Sequence, residues 1–297
     1  MNMIALIWCE RSVKIMQRVA YQGTQGAYSH LACSHVFPEW EAVACEDFFS
    51  AMNMVSQGLA DRAMIPLENS TAGRVEEIYR LIPKTQLFVT AEHFEPVNHC
   101  LLALPGVRLE DIREVSSHPQ ALAQCYQRLH SLNIKAVAAV DTAKSAQVLS
   151  QGNNRQAGAI ASALAGELYG LDIVQENFQD VTGNTTRFLV FSQREEHQTF
   201  IPDAKYITSL LFSVRNIPAA LYKALGGFAT NNVNMIKLES YMDGGTMHAS
   251  HFHVDIHGHP QQTNVANALE ELAYFARELR ILGSYPAHSH RSRAAFI

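Results

Sequence analysis

The segment Asn184-Thr185-Thr186-Arg187-Phe188 sets an amide, two hydroxyls and a guanidinium at the entrance to an apolar, strand-like run that continues to Phe191. An uncharged hydroxyl beside an arginine suits a buried anionic substrate. The hydroxyl can donate to a departing group, and the planar guanidinium fork matches a carboxylate in bidentate fashion. Side chains alternate along a strand, so if Thr186 faces a ligand, Arg187 points the other way unless the backbone turns there. Arg187 therefore has two readings, a substrate clamp or half of a structural ion pair. Three further segments carry small polar residues where helices should begin: Thr24-Gln25-Gly26-Ala27, Asn69-Ser70-Thr71-Ala72-Gly73 and Ser117-His118-Pro119-Gln120.

Anions bind well where helix N-termini present free backbone N–H groups. Four candidate termini, at Thr24 to Ala27, Asn69 to Gly73, Ser117 to Pro119 and Asp141-Thr142, place Thr24, Ser70, Thr71 and Ser117 beside a substrate. Each alone is an ordinary helix cap, but four of them in two halves of a chain indicate a site. Pro119 suits a first helical turn and leaves His118 as the cap. Glu68, at the end of a strand-like run, is a candidate proton donor if burial raises its pKa, and equally a cap or salt-bridge partner.

Together, in this order, these segments resemble prephenate dehydratase, and the resemblance covers nearly the whole chain from Arg18 onward. Thr186 matches the threonine of the family's N-x-T-R-F motif, Asn69 and Ser70 fall in its P-hydrophobic-E-N-S/T segment, and Gln124 follows its S-H-P-Q motif. The resemblance implies a catalytic set of Thr186, Asn69, Gln124 and Glu68. Ser70, Thr71, Ser117, Thr24, Arg187 and Phe188 would then bind the substrate, prephenate. The implied reaction removes the ring hydroxyl and ring carboxylate to leave phenylpyruvate, water and carbon dioxide. It is neither redox nor hydrolytic, so no cofactor and no metal are expected. Arogenate dehydratase is the nearest alternative, since arogenate differs only in an amino group for a keto group. A non-catalytic two-lobed binding protein is the alternative from another class.

The elements that would hold these residues follow from the apolar pattern. From Arg18 to Ser192 short apolar runs alternate with amphipathic stretches, which predicts α/β architecture with mostly parallel sheets. The organisation expected is an extension over 1–17, a catalytic domain over 18–193, a linker over 194–204, a βαββαβ unit over 205–286 and a tail over 287–297. Within the catalytic domain, lobe 1 takes 18–92 and 180–193 and lobe 2 takes 98–176, with one helix predicted over Pro119 to Leu132. The resemblance makes the fold class a two-lobed periplasmic-binding-protein-like domain followed by a ferredoxin-like ACT domain. Asp243-Gly244-Gly245 supplies a hairpin turn in that last unit.

In the C-terminal unit, Asn216-Ile217-Pro218-Ala219-Ala220-Leu221 resembles the ACT family's G-A-L segment with Ala219 where glycine is usual. Glu239-Ser240-Tyr241-Met242 stands where dehydratases often carry E-S-R-P. The resemblance implies L-phenylalanine as effector, held near Asn216, Ala219, Ala220, Leu221, Glu239 and Ser240 at an interface between two ACT domains of a homodimer or homotetramer. The missing Arg and Pro, and the added methyl, oppose strong binding, in which case the unit serves dimerisation.

Composition narrows the rest. The 297 residues are 47% hydrophobic, and 23 basic against 28 acidic residues give a net charge of -5. No basic run exceeds two residues, so a nucleic-acid surface is not expected. No apolar run reaches the roughly 18 residues of a membrane span. Five cysteines at 9, 33, 45, 100 and 125 form no C-x-x-C pair, which predicts reduced thiols and a cytoplasmic protein. Met1 to Gln17 has no targeting logic and is expected to be dispensable, with Met16 a candidate start. His248, His251, His253, His257 and His259 read as the polar face of a half-buried strand and its exit rather than as ligands.

Overall fold

The computed structural model describes residues 16–196, 200–215, 217–242 and 249–294. Most of the expected dispensable extension, part of the 194–204 linker, Asn216, the Asp243-Gly244-Gly245 turn and His248 lie outside the described residues.

The first lobe contains β1 (Arg18–Gln22), α1 (Tyr28–Val36), β2 (Glu41–Cys45), α2 (Phe48–Ser56), β3 (Arg62–Asn69), β4 (Gly73–Arg74), α3 (Glu76–Leu81) and β5 (Phe88–Pro96). The chain then enters the second lobe through β6 (Cys100–Ala103), β7 (Glu114–Ser117), α4 (Pro119–Gln124), α5 (Tyr126–Ser131), β8 (Lys135–Ala138), α6 (Thr142–Gln151), β9 (Ala157–Ala161), α7 (Ala163–Tyr169) and β10 (Asp172–Gln175). It returns as β11 (Thr185–Ser192), which inserts between β3 and β5. Two α/β lobes joined by two crossings result, a periplasmic-binding-protein-like arrangement with its cleft at the crossings.

The sheets are mixed, not mostly parallel. In the first, ordered β2-β1-β3-β11-β5, the first three strands are parallel and β11 is antiparallel to both neighbours. In the second, ordered β10-β6-β9-β7-β8, the β9-β7-β8 part is parallel and β6 and β10 are antiparallel. The reversals arise where the chain passes between lobes, because a strand entering from the other lobe arrives from the opposite end of the sheet.

Local signals set most helix ends. Asp47 starts α2 by accepting from the Ser50 N–H at 2.6 Å, and Asp141 starts α6 through the Lys144 N–H at 2.8 Å. Ser162 caps α7, which Gly170 ends in the left-handed region at φ 64°. The single helix expected over 119–132 is two, broken at Cys125. The carboxylate of Asp180, on the return crossing, accepts from the N–H groups of Gln127 and Arg128 at 2.8 and 3.1 Å and so gives α5 its own cap.

The C-terminal unit runs β12 (Tyr206–Val214), α8 (Ala220–Thr230), β13 (Met235–Met242), β14 (Ala249–His257), α9 (Thr263–Phe275) and β15 (Ala276–Pro286), followed by α10 (His290–Ala294). Its antiparallel order β13-β14-β12-β15 is ferredoxin-like. Phe212, Phe228, Val254 and Leu272 form the core between the sheet and its two helices.

The other face of this sheet is not a polar outer surface. Ile207, Leu211, Leu282 and Tyr285 join one apolar core with Ile78, Val89, Leu189 and Phe191 of the first lobe. His253, expected on a solvated face, is 1% exposed, and Asp255 on the same face is 0% exposed. Gly283 permits the close approach of β15 to β5, since a β-carbon there would overlap the carbonyl of Val89.

Candidate active site

A cleft of ≈ 480 Å³ opens between the lobes, lined on one side by Tyr28, Asn69, Thr186 and Phe188 and on the other by His99, His118, Gln120 and Gln124. Its floor follows from strand register. Thr186 pairs with Asn69 of β3 on one side and with Glu95 of β5 on the other. A bulge next to Pro66, which has no N–H to give, shifts the β3/β11 register beyond Arg187.

Asn69 is oriented by its own turn. Its Oδ1 accepts from the N–H groups of Thr71 and Ala72 at 3.0 and 2.9 Å, so its Nδ2 faces Thr186 and donates to Oγ1 at 2.9 Å. The Thr186 oxygen thus accepts from protein, and its O–H has no acceptor among the described residues.

Across the cleft, Gln124 Oε1 accepts from Asn184 Nδ2 at 3.0 Å and meets His99 Nε2 at 2.8 Å. This sets Nε2 as the protonated nitrogen of His99 and turns Nδ1 toward the Tyr28 hydroxyl at 2.9 Å. Burial lowers the His99 pKa, partly offset by Gln124, and burial holds the Tyr28 phenol well above its ordinary range. Both are neutral near pH 7.

The predicted helix termini fare differently. The first turn of α1 borders the cleft with Tyr28 and Ser29, and its N-cap, Ala27, has no side chain to occupy the free N–H groups. Thr24 gives its carbonyl to the Ala27 N–H and does not line the cleft. Asn69 to Gly73 is a turn between β3 and β4, not a helix start. His118 caps α4 through Gln120, whereas Ser117 is fully buried and donates to the Ile160 carbonyl at 2.6 Å. Asp141 closes the start of α6 with its own carboxylate.

Ser70 bonds the Thr185 N–H at 3.0 Å and meets Asn184 Oδ1 at 3.4 Å, which pins the end of β3 to β11. Thr71 is exposed, and its N–H serves Asn69. Phe188 is buried, with an edge on the cleft.

Two expectations are corrected by alternation. Arg187 is not a substrate clamp: it faces away from the cleft, 3% exposed, bound to Glu92 at 2.9 Å, Glu68 at 2.9 Å and Asp255 at 2.7 Å. Glu68 is not a proton donor: it lies beside Arg187 and Lys237. Burial opposes its ionisation, but those two cations prevail and lower its pKa. His99, and Arg74 at the cleft rim, escaped sequence reasoning. A lone histidine after a strand carries no pattern, and Arg74 reads as an ordinary surface charge.

In the C-terminal unit, Ala219 adopts φ 61°, ψ 20° as the N-cap of α8, with Ala220 and Leu221 in its first turn. Glu239 pairs with Arg74 at 2.9 Å. Ser240 lines a second cavity of ≈ 700 Å³ between this sheet and α3. His253 bonds Ser209 at 2.8 Å and does not converge with His251, His257 or His259 on a common point. No helix among the described residues is long and apolar enough to cross a membrane.

A family model described as prephenate dehydratase matches residues 19–196. The chain is 44% identical to a bifunctional N-acyl-homoserine lactone acylase/prephenate dehydratase of Komagataeibacter europaeus, over 93% of this chain and 98% of that protein. It is 41% identical to the chloroplastic arogenate dehydratase/prephenate dehydratase 1 of Arabidopsis thaliana, over 91% of this chain and 72% of that one. A crystal structure of prephenate dehydratase from Arthrobacter aurescens in complex with L-Phe aligns with a TM-score of 0.82 at 31% identity, over 94% of this chain and 95% of that one. With the matched segment spanning both lobes and the cleft between them, this chain belongs to the prephenate dehydratase family.

Proposed function

We propose that the cleft dehydrates and decarboxylates prephenate to phenylpyruvate, with Thr186 assisting the departing hydroxyl. The observation that carries this is the one-sided bonding of Thr186: Asn69 donates to its oxygen and leaves its hydrogen for a ligand. As the bond to the ring carboxylate breaks, its electron pair enters the ring, which aromatises and expels the hydroxyl. Carbon dioxide leaves, and the hydroxyl takes up one proton to become water. A donor fixed before the reaction stabilises the charge developing on that oxygen. Thr186 donates a hydrogen bond, and the proton consumed comes from solvent.

The other roles follow from position. Gln124, with its oxygen engaged by Asn184 and His99, keeps its N–H groups for substrate, and the uncapped first turn of α1 receives a carboxylate. Ser70 positions Asn184 and the start of β11.

The C-terminal unit is assigned as an ACT domain that senses phenylalanine, in line with the ligand named for the Arthrobacter structure. Association of two copies is supported by the outer edge of β13, which pairs with no further strand among the described residues and where Leu238 and Met242 are exposed. The test is to supply prephenate and arogenate in parallel. Phenylpyruvate and carbon dioxide released together from prephenate support the assignment. Turnover of arogenate alone would transfer it to the amino-bearing substrate.

A further inference from the structure

We propose that His35, His93 and Glu95 form a binding site for a divalent first-row cation of the zinc class, beside the cleft and separate from the dehydration chemistry. His93 and Glu95 stand two apart on β5 and share one face of it, and His35 lies in the last turn of α1, which packs against that face. His35 Nδ1 and His93 Nε2 each lie 2.8 Å from the same oxygen, Oε2 of Glu95. All three ligand atoms fall within 4.8 Å of one another, against the roughly 3.3 Å separating ligands around a tetrahedral zinc ion. Small side-chain adjustments reach that geometry.

The burial pattern favours a cation over hydrogen bonds alone. Glu95 is 2% exposed, and among the described residues it meets no lysine or arginine, only the two imidazoles. A buried carboxylate needs a compensating partner, and no lysine or arginine among the described residues supplies one here. Two imidazoles and a carboxylate suit zinc, cobalt and nickel, and three protein ligands leave one position for water. His35, with its side chain 55% exposed, gives the route of entry.

The placement couples this site to the cleft wall. Glu95 pairs with Thr186 across adjacent strands, and α1 carries Tyr28 and Ser29 at its other end. An ion here would tie α1 to β5 and hold that wall.

The test is titration of the chelator-treated full chain with Co²⁺, followed by its visible ligand-field spectrum, then displacement by Zn²⁺. One equivalent should give the bands of a low-coordinate cobalt ion, and Zn²⁺ should abolish them. His35→Gln, at an exposed position that should leave folding intact, and His93→Gln should each weaken binding beyond the roughly 10-fold to 100-fold typical for loss of an outer-shell partner. His130→Gln, on the exposed face of α5, should leave the spectrum unchanged. Absence of bands at one equivalent, bands that survive both His35→Gln and His93→Gln, or bands lost in His130→Gln would overturn the assignment.

Discussion

Arg187 Nη1 lies 2.7 Å from Asp255 Oδ2, so the residue beside Thr186 is anchored in the sheet of the C-terminal unit. Thr186 and Arg187 are neighbours on β11 that face opposite sides, one into the cleft and the other into a buried charged cluster. That cluster continues through Asp255 to Ser209 at 2.6 Å, and through Glu92 to Arg291 at 2.6 Å.

Asp255→Asn should therefore be strongly destabilising. Removing one partner of a buried ion pair typically costs about 3 to 5 kcal/mol, because the other charge is left uncompensated. Burial opposes ionisation of Asp255, but Arg187, with His253 and Ser209, holds its carboxyl well below the usual range. The pair thus adds stability above an unfolded pKa of about 3.9, and that stability is lost as pH falls through the lower folded value. Denaturant unfolding of wild type and Asp255→Asn between pH 3 and 7 checks both points, and the gap between them should narrow toward the acid end.

Glu68→Gln should keep its chemistry. The carboxylate sits on the far side of β3 from the substrate and is held ionised by Lys237 and Arg187. Loss of a true general acid costs about 10² to 10⁴ in rate, whereas this variant should retain kcat within about tenfold. It should instead unfold at lower denaturant. A collapse of kcat in a fully folded variant would restore Glu68 as the acid.

Ala219→Gly should be neutral to stabilising by up to about 1.6 kcal/mol. Left-handed alanine costs roughly 1 to 2 kcal/mol, and glycine returns roughly 0.4 to 1 kcal/mol of that through the unfolded chain. Thermal melting tests the stability. Calorimetric titration with phenylalanine should show tighter binding, since the first turn of α8 then offers its N–H groups without the methyl.

The local grammar of this chain was legible and its long-range pairings were not. Asp47, Asp141 and Pro119 announce their helices because a cap or a prolyl ring acts within one turn. The alternation along β11 correctly warned that Thr186 and Arg187 could not both face the cleft. What Arg187 meets instead depends on Asp255, 68 residues away, which periodicity cannot reveal. The polar face of β14 shows the same limit: His253 reads as solvated, yet the first lobe covers it together with Asp255 and with Ser209 of β12. The break at Cys125 likewise depends on Asp180, which is remote in sequence.

The most direct test is phenylpyruvate formation by Thr186→Val in a single-turnover assay with prephenate. The side chain is nearly isosteric, so the fold and substrate affinity should persist while the chemical step slows by about 10² to 10³, the usual effect of removing one preorganised donor. A rate within a few-fold of wild type, with prephenate still bound, would contradict the account and leave Thr186 as a structural partner of Asn69.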